Sequence, residues 1–190
     1  NYAKLFYKYY LTQHSKEFPY VDAKLALSKN FFSINKKKRW ITNKKSRELG
    51  NFLRSRYDCL LTTSKTINDD NPLLNCRIEG LEKKSPNLII LDRLFIVKKN
   101  SLIFKKNKTP IYILTTVNDS SKENFFKKIG VKVIKIKKMN NFSTDLKNIF
   151  YIIKKLGFNR ILVESGVTYL NQLIKYNLIN TLYLFKSSIN

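Results

Sequence analysis

The chain has 190 residues and a mass of 22.4 kDa, enough for one domain with a sizeable core at 43% hydrophobic content. No apolar run is long enough to cross a bilayer, and two cysteines with one histidine exclude a disulfide framework or a zinc centre. The net charge of +24 invites a nucleic-acid reading. Only seven of the 37 basic residues are arginine, however, and alanine occurs only at Ala3, Ala23 and Ala26. Lysine, asparagine and isoleucine have A/T-rich codons, so biased base composition accounts for much of the charge. What remains is a positive field suited to small anionic substrates. No RNP, zinc-finger or helix-turn-helix signature appears, which argues against nucleic acid as the partner. Asn1 stands where an initiating methionine would, and no signal-peptide apolar region follows. The expectation is therefore an excised piece of a cytoplasmic protein, with Cys59 and Cys76 as small hydrophobes.

Residues 2–11 are dense in Tyr, Phe and Leu and read as a short helix, ended by a polar run before Phe18-Pro19. His14 falls in that boundary and reads as solvated rather than catalytic. Residues 20–27 then form a strand opening on proline, with Lys24 inside it facing either solvent or a ligand. Residues 28–38 are a loop whose Lys36-Lys37-Lys38-Arg39 run reads as solvated surface. Thr42 or Asn43 caps a helix to about Arg56, with Leu49, Phe52 and Leu53 as its apolar stripe. Arg54 lies off that stripe, toward a cleft edge. Residues 58–63 are a strand, and residues 66–72 a loop at its carboxyl end, where ligands collect in open α/β sheets. Asp69-Asp70 reads as a turn or, with no neighbouring histidine or carboxylate to support it, a metal pair.

Further strands are expected over residues 87–92, 111–115, 131–136, 160–163 and 181–185. Helices are expected over 122–129 before Gly130, 144–156 before Gly157, and 169–176. This alternation predicts an α/β three-layer fold, a mostly parallel central sheet with helices on both faces. Glu164-Ser165-Gly166-Val167-Thr168 is a strand-to-helix turn. Its glycine is either ordinary turn chemistry or a place where backbone N–H groups meet a phosphate. Glu164, at the strand end, can accept hydrogen bonds from ring N–H or amino groups.

Together these residues resemble a known family, the reductase domain of the bifunctional riboflavin-biosynthesis deaminase-reductase. The resemblance rests on Pro19-Tyr20-Val21 with Lys24-Leu25-Ala26, Trp40-Ile41-Thr42, Arg54, residues 66–72 with Arg77, and Val163-Glu164-Ser165-Gly166. It implies a dihydrofolate-reductase-like fold and NADPH-dependent reduction of 5-amino-6-(5-phosphoribosylamino)uracil to the ribitylamino compound. By that similarity Ala26, Trp40, Thr66 and Asp70 contact NADPH, and Gly166, Val167, Thr168, Tyr169, Leu170, Asn171 and Gln172 bracket its phosphates. Lys24, Lys38, Arg54, Leu74, Arg77 and Glu164 surround a phosphorylated pyrimidine. Arg54 and Arg77 would grip its phosphate, Glu164 its uracil donors, and Leu74 would wall its ring.

The same resemblance implies a homodimer, and makes residues 1–17 a connector from a deaminase domain and residues 18–190 the reductase domain. Zinc would belong to that deaminase domain, not to this chain, and the last strands such domains carry would lie beyond Phe185. The sequence departs from the family pattern at Ser28-Lys29-Asn30-Phe31, where Ser-Leu-Asp-Gly is usual. Lys38 stands in place of a substrate-contacting serine, and Val167 in place of a proline. Two other readings are a different reductase of the same fold acting on a pterin or pyrimidine, and a basic nucleic-acid-binding module with a decayed site.

Overall fold

A computed structural model describes Tyr7 and residues 18–29 and 43–187 of the chain. The helix expected over residues 2–11, His14, Lys38 and Trp40 lie outside the described residues, apart from Tyr7. In chain order the elements are β1 (Tyr20–Leu27), α1 (Lys44–Arg54), β2 (Cys59–Thr63), α2 (Ser64–Asp70) and β3 (Asn87–Leu91). They continue with α3 (Leu102–Lys106), β4 (Ile111–Thr115), α4 (Ser120–Lys128), β5 (Lys132–Lys135), α5 (Phe142–Lys155), β6 (Arg160–Val163), α6 (Val167–Lys175) and β7 (Thr181–Lys186).

The seven strands form one sheet in the order β5-β4-β3-β2-β6-β1-β7, and every neighbouring pair is parallel. Such a sheet has both faces covered, which is why β3 and β4 read as almost continuous apolar runs. One face carries Val21, Ala23, Leu61, Ile89, Leu114 and Val163 against Leu146, Ile149, Phe150 and Ile153 of α5 and Leu170 and Leu173 of α6. The other carries Leu60, Leu88, Ile90 and Ile113 against Ile67 of α2, Ile103 of α3 and Phe126 of α4. Local chemistry sets the helix ends. Asn43, Thr63, Asp119 and Asn141 are N-caps whose side chains accept first-turn N–H bonds, and Gly130 and Gly157 follow α4 and α5 at positive φ.

Two expectations are corrected. Residues 66–72 are not a loop: Ser64–Asp70 is helical, capped by Thr63, ended by Asn71 in the left-handed region at φ 44° and followed by Pro72. Nor do Leu49, Phe52 and Leu53 form a buried stripe. Leu53 is buried together with Gly50 and Asn51, while Leu49 and Phe52 face solvent at 50% and 40% exposure. Leu53 packs with Tyr57 against Leu162, and the same sheet face also carries the buried Asp22 and Glu164.

Candidate functional site

Glu164 extends β6 by one residue, its N–H donating to the Leu61 carbonyl of β2 at 3.0 Å. Side chains alternate along a strand, so Glu164 shares a face with Leu162, the face that α1 covers. Ala23 of β1 pairs with Val163, which puts Lys24 beside Glu164 on that face. The Lys24 ammonium stands 3.9 Å from Glu164 Oε2 and 5.6 Å from the centre of the Phe185 ring. Lys24 is half-buried rather than solvated. Gly50 of α1 lies next to it, close enough that a Cβ there would be in ordinary contact with Lys24 Cε at 3.9 Å.

Arg54, at the end of α1, meets Glu164 from above. Its Nε donates to Oε1 at 2.7 Å and its Nη2 to Oε2 at 2.9 Å, while Nη1 donates to the Asn75 carbonyl at 3.0 Å. The third bond ties Arg54 to residues 71–77, a segment with two non-glycine residues at positive φ, Asn71 at 44° and Leu74 at 54°. Backbone in that region is strained and persists only where its surroundings over-determine it. Here the Leu74 side chain is held in the core beside Leu60 and Ile67, and the Asn75 carbonyl is held by Arg54.

Burial alone would raise the Glu164 carboxyl. The charges of Arg54, Lys24 and Arg77 overcome it and hold the group down at about 2. Burial likewise works against the Arg54 cation, and Glu164 more than restores it, leaving the guanidinium above its ordinary range. The site is a buried carboxylate kept ionised by three cations.

Two helices start from the carboxyl ends of adjacent strands, α2 after β2 and α6 after β6. Thr66 lies in the first turn of α2, its hydroxyl 3.1 Å from that of Thr63. Thr66 and Asp70 are four residues apart, so the helix places them on one face, as the expected loop would not. Gly166 caps α6 with no side-chain hydrogen bond, and a Cβ there would meet nothing within 4 Å. The N–H groups of Gly166, Val167, Thr168 and Tyr169 begin a helix and have no intrahelical acceptor. Leu170 already donates to the Gly166 carbonyl, and its side chain is buried in the core. Within the span expected to bracket phosphates, the backbone N–H groups left over by the helix are therefore those of residues 166–169. Ala26 follows Lys24 on the same face of β1.

Arg54 and Glu164, expected to take separate parts of a substrate, are paired with each other in this structure. Leu74 was expected as a ring wall, but its side chain is 5% exposed and belongs to the core. Arg77 is exposed at the mouth, close enough to bias the Glu164 charge. Sequence reasoning missed Asp22, Tyr57 and the Asn75 carbonyl. The alternation in β1 that exposed Lys24 as unusual could have flagged Asp22, two residues earlier on the same face. A cleft of about 540 Å³ lined by Ile96, Lys98, Lys99, Asp119 and Lys122 involves none of these residues. Among the described residues no three His, Cys, Asp or Glu side chains gather to hold a metal, and no helix is long and apolar enough to cross a membrane.

A wholly parallel α/β sheet with a charge-paired carboxylate at its carboxyl edge, two residues before a helix start without a side-chain cap, has the architecture of a ligand-binding α/β domain. Residues 31–189 match the family described as RibD C-terminal domain, and the chain belongs to that family. The chain is 28% identical over 178 residues to riboflavin biosynthesis protein RibD of Aquifex aeolicus, covering 93% of this chain and 48% of that protein. It is 31% identical over 160 residues to a 5-amino-6-(5-phosphoribosylamino)uracil reductase of Buchnera aphidicola, covering 77% of this chain and 73% of that one. The chain thus spans about half the length of the RibD relatives and most of the shorter one. In fold it resembles a deaminase/reductase of Thermotoga maritima, with TM-score 0.79 and 21% identity over 98% of this chain and 50% of that one.

Proposed function

We propose that the chain is the reductase part of a riboflavin-biosynthesis enzyme. It would reduce 5-amino-6-(5-phosphoribosylamino)uracil to the ribitylamino compound with NADPH. The name of the Buchnera aphidicola relative supports this substrate, and the resemblance read from the sequence supports the cofactor. The observation that carries the reading is the ionised Glu164, buried beside Lys24 and Arg54 and two residues before the open start of α6 at Gly166.

The second carboxylate lone pairs are directed at ligand donors. Glu164 spends one acceptor site per oxygen on Arg54, and its remaining sites suit the ring N–H and amino groups of an aminouracil. Arg77 and Lys24 supply charge for the sugar phosphate. Arg54 serves by orienting Glu164 instead of gripping phosphate itself.

The residues fit a dinucleotide phosphate group. A helix N-terminus without a side-chain cap and with open space at Gly166 favours an anion. Residues 166–169 would hold it, with Thr66 and Asp70 of α2 facing the rest of the cofactor. Bound NADPH supplies the hydride that reduces the sugar C1, and the opened ring oxygen becomes a hydroxyl, so each turnover also takes up one proton. The protein's part is to hold two ligands in a productive arrangement and keep Glu164 charged. Isothermal titration of the full-length protein tests this reading. NADPH should bind without substrate, and a Gly166→Asp variant should lose it.

A further inference from the structure

Tyr57 lies three residues beyond the end of α1 and is 5% exposed. Its hydroxyl donates to Asp22 Oδ2 at 2.5 Å, and Asp22 is 1% exposed. Burial, then the Asp22 carboxylate and the Tyr183 hydroxyl, push the Tyr57 group far above its ordinary range, so it remains a donor. Arg160 lies over the Tyr57 ring at 5.0 Å. Asp22 precedes Lys24 by two residues on the same face of β1, and Tyr183 of β7 is the register partner of Lys24.

These contacts matter because α1 has little apolar hold on the sheet. The cluster under it consists of Leu53, Tyr57 and Leu162, with Tyr183 and Phe185 partly buried, and its other large apolar residues face outward. Apolar packing is non-directional and among the described residues is small here, whereas hydrogen bonds are directional. One anchor is Arg54 on Glu164; the other is Tyr57 on Asp22, one turn further along the chain.

We propose that Tyr57 is a positioning residue for the pyrimidine subsite. Its bond to Asp22 fixes the end of α1, so that Arg54 presents Glu164 in one geometry. The inference rests on the reductase reading. It implies that Tyr57→Phe raises KM for the phosphoribosylaminouracil about tenfold, with kcat and NADPH affinity changed less than threefold. Asp22→Asn keeps an acceptor oxygen for Tyr57, so it should raise KM less than Tyr57→Phe does.

The test uses the full-length protein and two readouts. One is steady-state kinetics. The other is solvent exchange of the Arg54 Nε–H by nitrogen-15 NMR, assigned by its loss in Arg54→Lys. Tyr57→Phe should speed that exchange at least tenfold while α5 amide protection is unchanged, and Asp22→Asn should not. Unchanged exchange and KM in Tyr57→Phe overturn the proposal, as does an equal loss in Asp22→Asn, which would assign the effect to the Asp22 charge. If the unmodified protein reduces no phosphoribosylaminouracil, the reductase reading fails, and the exchange measurement still decides whether Tyr57 positions Arg54.

Discussion

Arg54 and Glu164 stand 110 residues apart in the sequence and form a two-bond ion pair under the end of α1. Their side chains are 12% and 10% exposed, so neither charge is well hydrated. The pair joins a helix to the carboxyl end of a central strand, and through the Asn75 carbonyl it also pins the segment that carries Arg77. An isolated buried charge is costly, whereas a paired one is tolerated and held in one orientation.

Glu164→Gln should therefore lower stability as well as turnover. It leaves the Arg54 cation buried without its counter-charge, a loss of about 3–5 kcal/mol, or roughly 10 °C in Tm for a chain of this size. Replacing both partners, Arg54→Met with Glu164→Leu, should recover most of the melting temperature and none of the activity. Calorimetry and kinetics on the two variants separate the structural share from the functional one.

The pH dependence has a definite sign. Glu164 is held at about 2 in the fold, below its ordinary carboxylate value of 4.5. Its contribution to stability is therefore complete above about 4.5 and is lost as pH falls toward 2. That contribution is on the order of 3 kcal/mol. The melting temperature of the unmodified protein should fall more steeply through this window than that of the Arg54→Met, Glu164→Leu double variant. Parallel curves would show that Glu164 is not the group titrating.

Arg77→Ala tests the substrate end, since Arg77 is exposed and its charge is felt by Glu164. KM for the substrate should rise at least tenfold with NADPH affinity unaltered. Equal weakening of both ligands would contradict the division between the two groups of residues.

Gly166→Asp tests the cofactor end. An aspartate N-cap is at least as good for α6 as glycine, so Tm should hold or rise slightly. Its carboxylate would accept the first-turn N–H bonds and repel a phosphate, weakening NADPH at least tenfold. Unimpaired NADPH binding would move the phosphates elsewhere.

The sheet was readable because β3 and β4 are almost continuous apolar runs and glycines follow α4 and α5. All seven strands fall within two residues of the expected bounds. Helix α2 was hidden by its polar composition, although Thr63, Asn71 and Pro72 supply its cap, its left-handed end and its stop. The outward turn of Leu49 and Phe52 was not legible, because apolar periodicity assumes an apolar partner, and the sheet face that Leu53 meets carries Asp22, Lys24 and Glu164 as well as Leu162. Lys24, Arg54 and Glu164 stand out in the sequence by type and spacing, but their pairing does not. That Arg54 would spend its fork on Glu164 depends on how α1 crosses β6, a relation that no local pattern encodes.

The most direct measurement is NADPH oxidation by the full-length protein supplied with 5-amino-6-(5-phosphoribosylamino)uracil, followed by identification of the product. The account predicts substrate-dependent oxidation, one NADPH per ribitylamino product, abolished in Glu164→Gln. Turnover by the unmodified protein that survives in Glu164→Gln, or NADPH binding with no oxidation of this substrate, would contradict it.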